Sequence, residues 1–482
     1  MPKYTHDVVV IGGGAGGLTA ASGCAQLGLK TALIEKEHLG GDCLYYGCVP
    51  SKSLLQTASV YYNARTASRY GLPSIDPPEV NMSDVNARVQ SVIQAIAHHD
   101  SPERFEGLGA EVMFGSPRFV SPHEVSIDGK TVSAKSFVIA TGSSPRSVPI
   151  PGLEETGYIT NLDIFSLEDR PNRLAVIGAG PIGVEMSQAF TRLGTSVTLM
   201  DLATQILPKE DADMAAFVER RLADEGAALK LGVSIKRVEG GGGTKRVIVE
   251  KDGTEEVVEA DEILLSAGRI GNTSELELDK AGVAVERSYI TANSKLQSSQ
   301  KHILAVGDCN GRYLFTHVAG AEGSVAVRRI ALHAGGSMNY QNVPWCTYTD
   351  PELASVGYNE QRASEAGIHY DVVTEPFSSV DRAHAEGESE GQIKLLLDGK
   401  GKIIGTQIVG HHAGELILPS LFAANDRWKI GKLMGPIVPY PTMGEIQRKA
   451  ASSYMAPRLF NDKVRGILRF LFRYRGRGPH GE

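Results

Sequence analysis

The same pattern of strand, glycine-rich loop, helix and strand occurs twice in this chain of 482 residues. The first copy consists of strand 7–11, the loop glycines Gly12, Gly14 and Gly17, a helical stretch at 18–27, strand 31–34 and Glu35. The second consists of strand 174–177, the loop glycines Gly178, Gly180 and Gly183, strand 197–200 and Asp201. In both copies the acid follows the first glycine at the same spacing. An internal duplication of a βαβ unit therefore constrains the fold more than any other feature.

The glycines of a GxGxxG loop serve three mechanical purposes, which are a tight turn, close approach of a pyrophosphate, and close packing of the helix. The phosphates lie at the helix N-terminus, and the acid accepts hydrogen bonds from a ribose diol. The sequence therefore predicts two dinucleotide sites. At the second site, the Asp201 carboxylate favours a free 2′-hydroxyl, and thus NADH over NADPH. Lys236, Arg237 or Arg269 could still reach a 2′-phosphate.

Two cysteines lie close together in the segment GGDCLYYGCVPSK, residues 40–52. Five residues of regular helix rise about 7.5 Å, which exceeds the roughly 4.4–6.8 Å that a disulfide allows between Cα atoms. If Cys43 and Cys48 form a disulfide, the turn between them is irregular, and Gly47 suits such a turn. The alternative is a pair of reduced, buried cysteines that act as small hydrophobic residues.

Charge and hydropathy exclude several classes of protein. A net charge of -7 and a pI near 6 argue against nucleic acid as an obligatory partner. The sequence has no apolar run of about 18 residues, and its start lacks the apolar core of a secretory signal. We expect a cytoplasmic protein, where a surviving disulfide is more often catalytic or transient than structural.

Further strands lead to candidate ligand-binding positions. Strand 136–140 runs into a small-residue turn, residues 240–243 predict a hairpin loop, and strand 262–266 ends at Ala267 and Gly268. Strand 303–306 stops at Asp308, where an acid can point into the ligand crevice of a parallel sheet; helix capping is the alternative. For Cys309 and His317 we favour packing over metal binding, because no metal-ligand spacing joins them. No metal site is predicted.

From about residue 342 the pattern changes to that of a third domain. Strands at 345–348, 370–374, 391–397 and 402–408 read as antiparallel, and helices are predicted at 415–425 and 446–455.

The last stretch, 463–477, is strongly basic. Val464, Ile467, Leu468 and Leu471 stand at helical spacing opposite Arg465, Arg469 and Arg473. This pattern is typical either of a helix at a membrane surface or of a solvated helix packed on its own protein, which is slightly preferred.

Together, these segments resemble the class I flavoprotein (pyridine nucleotide) disulfide oxidoreductases, which include dihydrolipoyl dehydrogenase, glutathione reductase and mercuric reductase. The resemblance covers residues 7–460. It rests on GGDCLYYGCVPSK, both GxGxxG loops, ATGS at 140–143, SAGR at 266–269 and AVGD at 305–308, in the order of the family. It implies an α/β fold with two Rossmann-like dinucleotide-binding domains and a C-terminal α+β dimerisation domain. The implied boundaries are 1–150 and 273–340 for the FAD domain, 151–272 for the NAD(P) domain, 341–460 for dimerisation, and 461–482 for a basic tail.

The resemblance also implies a homodimer and roles for individual residues. The residues implied for FAD are Gly12, Gly14, Gly17, Glu35, Thr141, Gly142, Gly268 and Asp308, with Asp308 on the ribityl chain. Those implied for the nicotinamide nucleotide are Gly178, Gly180, Gly183 and Asp201. Cys43 would be the interchange thiol that meets substrate, and Cys48 would face the flavin. Lys52 and Glu185 match the pair beside the reactive flavin edge, where Lys52 would stabilise negative charge on reduced flavin and a nearby thiolate.

One departure from the family concerns the acceptor. Where dihydrolipoyl dehydrogenase and glutathione reductase carry a histidine and a glutamate from the partner subunit, this chain has Tyr440 and Glu445. A histidine titrates near pH 6.5, whereas a phenol titrates near pH 10 and mostly donates hydrogen bonds. A tyrosine at this position is similar to the pattern of mercuric reductase, whose reaction depends on soft thiolate ligands more than on a group that transfers protons. The C-terminal cysteine pair of mercuric reductases is missing, since no cysteine follows Cys346.

We therefore expect an FAD-dependent NAD(P)H oxidoreductase that passes electrons through Cys43 and Cys48 to a disulfide or a soft metal ion, as mercuric reductase does. One alternative is a dihydrolipoyl dehydrogenase acting on a specialised lipoyl protein. Another, of a different class, is a flavin-containing redox sensor docked by its basic tail.

Overall fold

The computed structural model describes residues 4–241 and 243–476, which form two compact units. The first unit contains the described residues up to Leu207 together with Leu222–Tyr340. The second contains Pro208–Arg221 together with the described residues from Gln341 onward. The segment Pro208–Arg221, which the resemblance assigned to the NAD(P) domain, thus belongs to the second unit.

The helices and strands alternate through the first unit and then become mainly antiparallel strands followed by helices. The α-helices are α1 (Ala15–Gln26), α2 (Gly41–Tyr45), α3 (Cys48–Arg65), α4 (Met82–Ala97), α5 (Pro102–Gly107), α6 (Leu153–Thr156), α7 (Pro181–Arg192), α8 (Ala212–Asp224), α9 (Thr316–Ile330), α10 (Glu360–Glu365), α11 (Asp381–Glu386), α12 (Ala413–Leu416), α13 (Leu418–Asn425), α14 (Glu445–Leu459) and α15 (Asp462–Phe472). The strands of the first unit are β1 (His6–Ile11), β2 (Thr31–Glu35), β3 (Ala110–Phe114), β4 (Pro117–Ser121), β5 (Glu124–Ile127), β6 (Lys130–Ile139), β7 (Ser143–Pro145), β8 (Arg173–Ile177), β9 (Ser196–Asp201), β10 (Ala228–Leu231), β11 (Ser234–Gly241), β12 (Thr244–Lys251), β13 (Thr254–Ala260), β14 (Glu262–Leu265), β15 (Arg269–Gly271), β16 (Val285–Glu286), β17 (Tyr289–Ile290) and β18 (Ile303–Ala305). Those of the second are β19 (Trp345–Thr347), β20 (Glu352–Gly357), β21 (Asp371–Pro376), β22 (Gln392–Leu397) and β23 (Ile403–Gly410).

The first βαβ unit sits in the larger sheet, whose order is β3-β2-β1-β6-β5-β4 with β18 paired to β6. The strands β3, β2, β1, β6 and β18 run parallel, whereas β4 and β5 join antiparallel. Val8, Val9 and Val10 are fully buried, as expected for a parallel strand covered on both faces. The loops that follow β1, β6 and β18 therefore meet at one sheet edge, where α/β folds bind ligands.

The second βαβ unit repeats this arrangement in a four-stranded parallel sheet ordered β10-β9-β8-β14. A separate antiparallel sheet, β11-β12-β13, includes the predicted hairpin. Of its loop residues, 242 lies outside the described part. Both Rossmann-like sheets predicted from the glycine repeats are present, so the predicted fold class is confirmed.

The second unit is built on one antiparallel sheet, ordered β19-β20-β23-β22-β21. Strand β20, which pairs with β19 and β23, was not predicted, although Leu353, Ala354 and Val356 are fully buried there. The predicted helix 415–425 is two shorter helices, α12 and α13. The core of this unit packs α13 and α14 against the sheet.

The C-terminal helix predicted in the basic stretch is present as α15, and none of its residues is buried. Residue 477, the last of that stretch, lies outside the described residues. Among the described helices, none combines the length and the apolar character needed to cross a membrane.

Candidate active site

The first nucleotide loop (residues 12–17) is shaped by close backbone contacts. Gly12 has φ +104°, and a Cβ there would lie 2.3 Å from the carbonyl oxygen of Ala140. A Cβ at Gly17 would lie 1.8 Å from the Gly12 carbonyl oxygen, so α1 can pack only with glycine here. Gly14 faces open space and precedes α1 without any side-chain cap. The uncapped N–H groups of the first helical turn and this open cradle fit a diphosphate.

The second nucleotide loop (residues 178–183) repeats the first in detail. Gly178 has φ +110°, and a Cβ at Gly183 would lie 1.9 Å from the Gly178 carbonyl oxygen. Gly180 again faces open space before α7, which also begins without a side-chain cap. The structure thus offers two diphosphate cradles, as the sequence predicted.

The two acids that follow the second strands lie beside their loops. Glu35 accepts from the backbone N–H of Gly13 at 2.6 Å and, through its other oxygen, from Lys36 and Glu37. Asp201 accepts from the N–H of Ala179 at 2.6 Å and from that of Ala203 at 2.7 Å. A carboxylate has about four acceptor sites, so each acid keeps capacity for a ribose hydroxyl.

The redox turn (residues 40–48) is attached to the first nucleotide loop. Gly40 donates its N–H to the Gly13 carbonyl oxygen at 2.8 Å, and a Cβ at Gly41 would lie 2.8 Å from Gly14 Cα. The turn is irregular between α2 and α3, as predicted. Gly47 has φ −126° and ψ −112°, which is neither a helical nor an extended conformation. A Cβ at Gly47 would also lie 3.0 Å from the Asp42 carbonyl oxygen.

Cys43 and Cys48 are thiols here, Cys43 half-buried and Cys48 exposed. The pKa of Cys48 is lowered to about 6, chiefly by a hydrogen bond from the Cys43 thiol, then by Thr316 and by the charge of Lys52. The same hydrogen bond and burial raise the pKa of Cys43. Thr316 Oγ1 lies 3.6 Å from Cys48 Sγ. The dithiol therefore carries its first negative charge on Cys48, with Cys43 protonated.

A half-buried ion pair acts on this thiolate through its charges. Lys52 Nζ on α3 lies 2.9 Å from the Glu185 carboxylate on α7, and the Glu185 side chain is only 6% exposed. Lys52 is the residue one helical turn after Cys48. The predicted pair of Lys52 and Glu185 is thus formed, and it links the redox turn to the second βαβ unit.

Asp308 lies in the turn after β18, as the AVGD motif indicated. Ser143 donates a hydrogen bond to it at 2.6 Å, and burial raises the pKa of this carboxyl. Arg269 donates to the hydroxyl and the carbonyl of Ser143, both at 2.7 Å, and pairs with Asp42 at 3.2 Å. Asp42 directly precedes Cys43, so Arg269 joins the Asp308 turn to the redox turn.

Sequence reasoning missed the support beneath Asp308. Buried Glu322 on α9 accepts from the N–H of Gly307 at 2.5 Å, from the Asn310 amide at 2.9 Å, and from the Tyr340 hydroxyl at 2.5 Å. Burial raises the pKa of Glu322. Its signal in the sequence was an acid on an otherwise apolar helix face, one turn after Val318 and one turn before Ala326.

Three other predicted cofactor-binding residues occupy loops that follow parallel strands, Thr141 and Gly142 after β6 and Gly268 after β14 of the smaller parallel sheet. Thr141 uses its hydroxyl to donate to the Asn272 carbonyl at 2.7 Å. Gly142 has φ +70° and faces open space, and Gly268 has φ +112° next to the Arg146 side chain. The glycines leave room for a ligand, whereas the side chain of Thr141 stabilises the loop.

The C-terminal pair lies in the second unit. The exposed Tyr440 donates its hydroxyl to Asp381 at 2.9 Å, and this hydrogen bond raises the pKa of the phenol. Glu445 accepts a long contact, 3.5 Å, from the Thr442 N–H. The hydroxyl of Tyr440 is therefore bonded to Asp381 rather than to Glu445.

Comparison with known families agrees with this geometry. Residues 6–323 match the family described as pyridine nucleotide-disulphide oxidoreductase, and residues 343–451 match its dimerisation domain. The chain belongs to the pyridine nucleotide-disulphide oxidoreductase family. The resemblance recognised in the sequence is confirmed.

Relatives within the family include different enzymes. The chain is 32% identical to a mercuric reductase of Bacillus cereus over 92% of its length and 70% of the relative. It is 34% identical to a mitochondrial dihydrolipoyl dehydrogenase of Pisum sativum, over 92% of its length and 91% of the relative. Among solved structures, the Cu(II) complex of the HOCl-induced flavoprotein disulfide reductase RclA from Escherichia coli matches with TM-score 0.82 and 26% identity, covering 92% of this chain and 99% of that one.

As a member of this family, the protein is an oxidoreductase that uses FAD and NAD(P)H. The residues present fit both cofactors, because two uncapped helix N-termini and two open glycine cradles are available for two diphosphates.

Proposed function

We propose that this enzyme passes electrons from NADH through Cys43 and Cys48 to a soft metal ion, with small disulfides as slower acceptors. Bound FAD would supply a hydride acceptor for the nicotinamide and a two-electron donor for the disulfide. Cys48, with its lowered pKa, is the thiolate facing the flavin, and Cys43 is the thiol that meets the acceptor. Two electrons convert Hg(II) to the metal or two Cu(II) ions to two Cu(I).

The observation that carries this proposal is the hydrogen bond from Tyr440 to Asp381. In family members that reduce neutral disulfides, a histidine at this place cycles a proton at neutral pH. Tyr440 has its pKa raised above an already high value, so it stays protonated. A metal ion requires thiolate ligands and no proton from this position.

The relatives are consistent with a metal acceptor. Mercuric reductases of three bacteria match over most of their length, and a structurally similar reductase is known as a Cu(II) complex. The alternative function is that of a dihydrolipoyl dehydrogenase acting on a specialised lipoyl protein, and the similarity to the plant enzyme supports it.

The contacts of nearby cations support a preference for NADH. Lys236 pairs with Glu250, Arg237 with Glu239 and Glu255, and Arg269 with Asp42. These are the cations that could have served a 2′-phosphate, and each is neutralised by a carboxylate. At the end of β9, Asp201 would repel that phosphate.

We also propose that the enzyme acts as a homodimer. The match to the family's dimerisation domain supports this assembly.

The acceptor is tested by anaerobic stopped-flow. Enzyme reduced with one equivalent of NADH is mixed with Hg(II), Cu(II), lipoamide or glutathione disulfide, and its reoxidation is followed, with Cu(I) trapped by a chelator. We expect reoxidation by the metal ions and slow reoxidation by lipoamide. Tyr440→His should speed only the lipoamide reaction, and Tyr440→Phe is the matched control that should leave it slow.

Three results would contradict parts of this proposal. Wild-type reoxidation by lipoamide as fast as by metal ions would support the lipoyl enzyme. Metal binding without Cu(I) or Hg(0) would mean that the dithiol only ligates the ion. If NADH is not consumed steadily with any acceptor, the redox-sensor alternative is favoured.

A further inference from the structure

Helix α15 exposes an apolar stripe and a set of basic side chains at once. None of its residues is buried, and Ile467, Leu468 and Leu471 are 49%, 37% and 60% exposed. The helix begins at a cap formed by Asn461, which accepts from the N–H of Val464 at 3.0 Å. It lies beyond residue 451, where the match to the dimerisation domain ends. No burial against the described residues explains its apolar side.

The two kinds of side chain occupy different sides of the helix. At 3.6 residues per turn, positions 464, 467, 468 and 471 form one continuous stripe. Arg465 and Arg469 lie together on the opposite side. The basic residues of this region are Lys463, Arg465, Arg469, Arg473 and Arg475, against one acid, Asp462.

Aromatic residues surround the stripe. Phe460, Phe470, Phe472 and Tyr474 are each more than half exposed. Tyrosine rings are enriched at the boundary between headgroups and acyl chains, and phenylalanine is common on the apolar side of interfacial helices.

We propose that α15 docks the enzyme on an anionic bilayer surface, lying in the plane of the interface. Its apolar side would enter the acyl boundary while its arginines pair with lipid phosphates. With 11 residues it is far shorter than the roughly 20 that a spanning helix needs. The contact is therefore peripheral and salt-sensitive.

The charged and apolar sides of α15 together favour an anionic bilayer over a second copy of the chain and over a nucleic acid. A symmetric contact through the apolar stripe with α15 of a second copy would cover Leu468 and Leu471 but leave Arg465 and Arg469 without an anionic partner. A nucleic acid would satisfy the arginines but leave Leu468 and Leu471 in water. An anionic bilayer satisfies both sides of the helix, in a chain whose net charge of -7 gives it no general affinity for anions.

The test is co-flotation of the FAD-loaded enzyme with vesicles of phosphatidylcholine alone or with about one third phosphatidylglycerol. We expect binding to the anionic vesicles only, lost at high salt. An arginine near an anionic surface contributes roughly fivefold to partitioning. Arg465→Gln with Arg469→Gln should therefore weaken binding about 25-fold, whereas Lys400→Gln with Lys429→Gln, exposed cations elsewhere, should change it little.

A second variant tests the apolar side. Leu468→Ser with Leu471→Ser should abolish binding even at low salt, with FAD absorption and melting temperature unchanged. Equal binding to both kinds of vesicle, or none to either, would overturn the proposal. A smaller oligomer on light scattering in this variant would show that a second copy covers α15 instead.

Discussion

The charge balance around Cys48 predicts opposite effects for two substitutions of its neighbouring ion pair. The pKa of Cys48 is about 6, so at pH 7 the reduced enzyme holds about ten thiolates per thiol. Lys52 lowers this pKa and Glu185 raises it. Lys52→Met should therefore raise the pKa of Cys48, and Glu185→Gln should lower it.

The size of the effect of Lys52 on the pKa of Cys48 follows from their spacing of one turn on α3. Side chains one turn apart stand about 5–6 Å from each other. At an effective dielectric constant of about 20, a unit charge at about 6 Å is worth roughly 2.8 kcal/mol, or about two pKa units. The Lys52 side chain is 36% exposed and paired with Glu185, which screens it, so about one unit is expected. The midpoint in Lys52→Met should move from about 6 to about 7.

The assay is a pH titration of the two-electron-reduced enzyme, followed by its long-wavelength absorption. In Lys52→Met, thiol and thiolate should be about equal at pH 7. In Glu185→Gln, the absorption should persist to lower pH than in the wild type. A midpoint that stays fixed, or that moves in the same direction in both variants, would refute the assignment of the thiolate to Cys48.

The lowered pKa of Cys48 also makes the free energy of unfolding of the dithiol form depend on pH. The folded pKa of Cys48, about 6, lies below the ordinary value of about 8.5 in an unfolded chain. Between these values the unfolded chain binds more protons, so stability rises with pH. This contribution to the free energy of unfolding is complete above about pH 8.5 and is lost as the pH falls through 6. In Lys52→Met it should already be lost as the pH falls through about 7.

Four more substitutions have expected outcomes. Cys48→Ser should remove the long-wavelength absorption, whereas Cys309→Ser should keep it, since burial raises the pKa of the Cys309 thiol to about 12; the reverse result would reassign the roles. Tyr340→Phe leaves buried Glu322 without one donor, at a cost of about 1–3 kcal/mol, and FAD titration of the apoprotein should show about tenfold weaker binding. Unchanged FAD affinity would show that the turn of Asp308 needs no such support. Lys394→Met leaves buried Asp211 without its cation, whereas Asp213 and Glu360 are more exposed, so urea unfolding should show a loss of up to about 3 kcal/mol; no loss would mean that the cluster needs no buried cation.

The sequence predicted the parts of the fold that depend on local spacing. Both glycine loops, the acids Glu35 and Asp201, and the position of Asp308 after a short strand follow from short-range patterns. Each has a steric or hydrogen-bonding requirement within about 25 residues, and such requirements leave a motif.

What the sequence could not predict depends on contacts between distant residues. Glu210, in the segment assigned to the NAD(P) domain, bonds to Ser355 at 2.5 Å and to Gln407 at 2.6 Å in the second unit. Strand β20 shows no alternation of apolar and polar residues, because every residue from Leu353 to Gly357 is buried on whichever face it lies. The partner of Tyr440, Asp381, lies 59 residues away, and no local pattern joins them.

The two nucleotide loops determine which of their glycines can be replaced during evolution. At Gly17 and Gly183 the polypeptide itself forbids even a methyl group, since the carbonyl of the first glycine occupies that space. At Gly14 and Gly180 the protein leaves the space empty, so only the ligand forbids a larger residue. In a paralogue that no longer binds one of the nucleotides, we therefore expect the central glycine of that loop to be replaced before the outer glycines are.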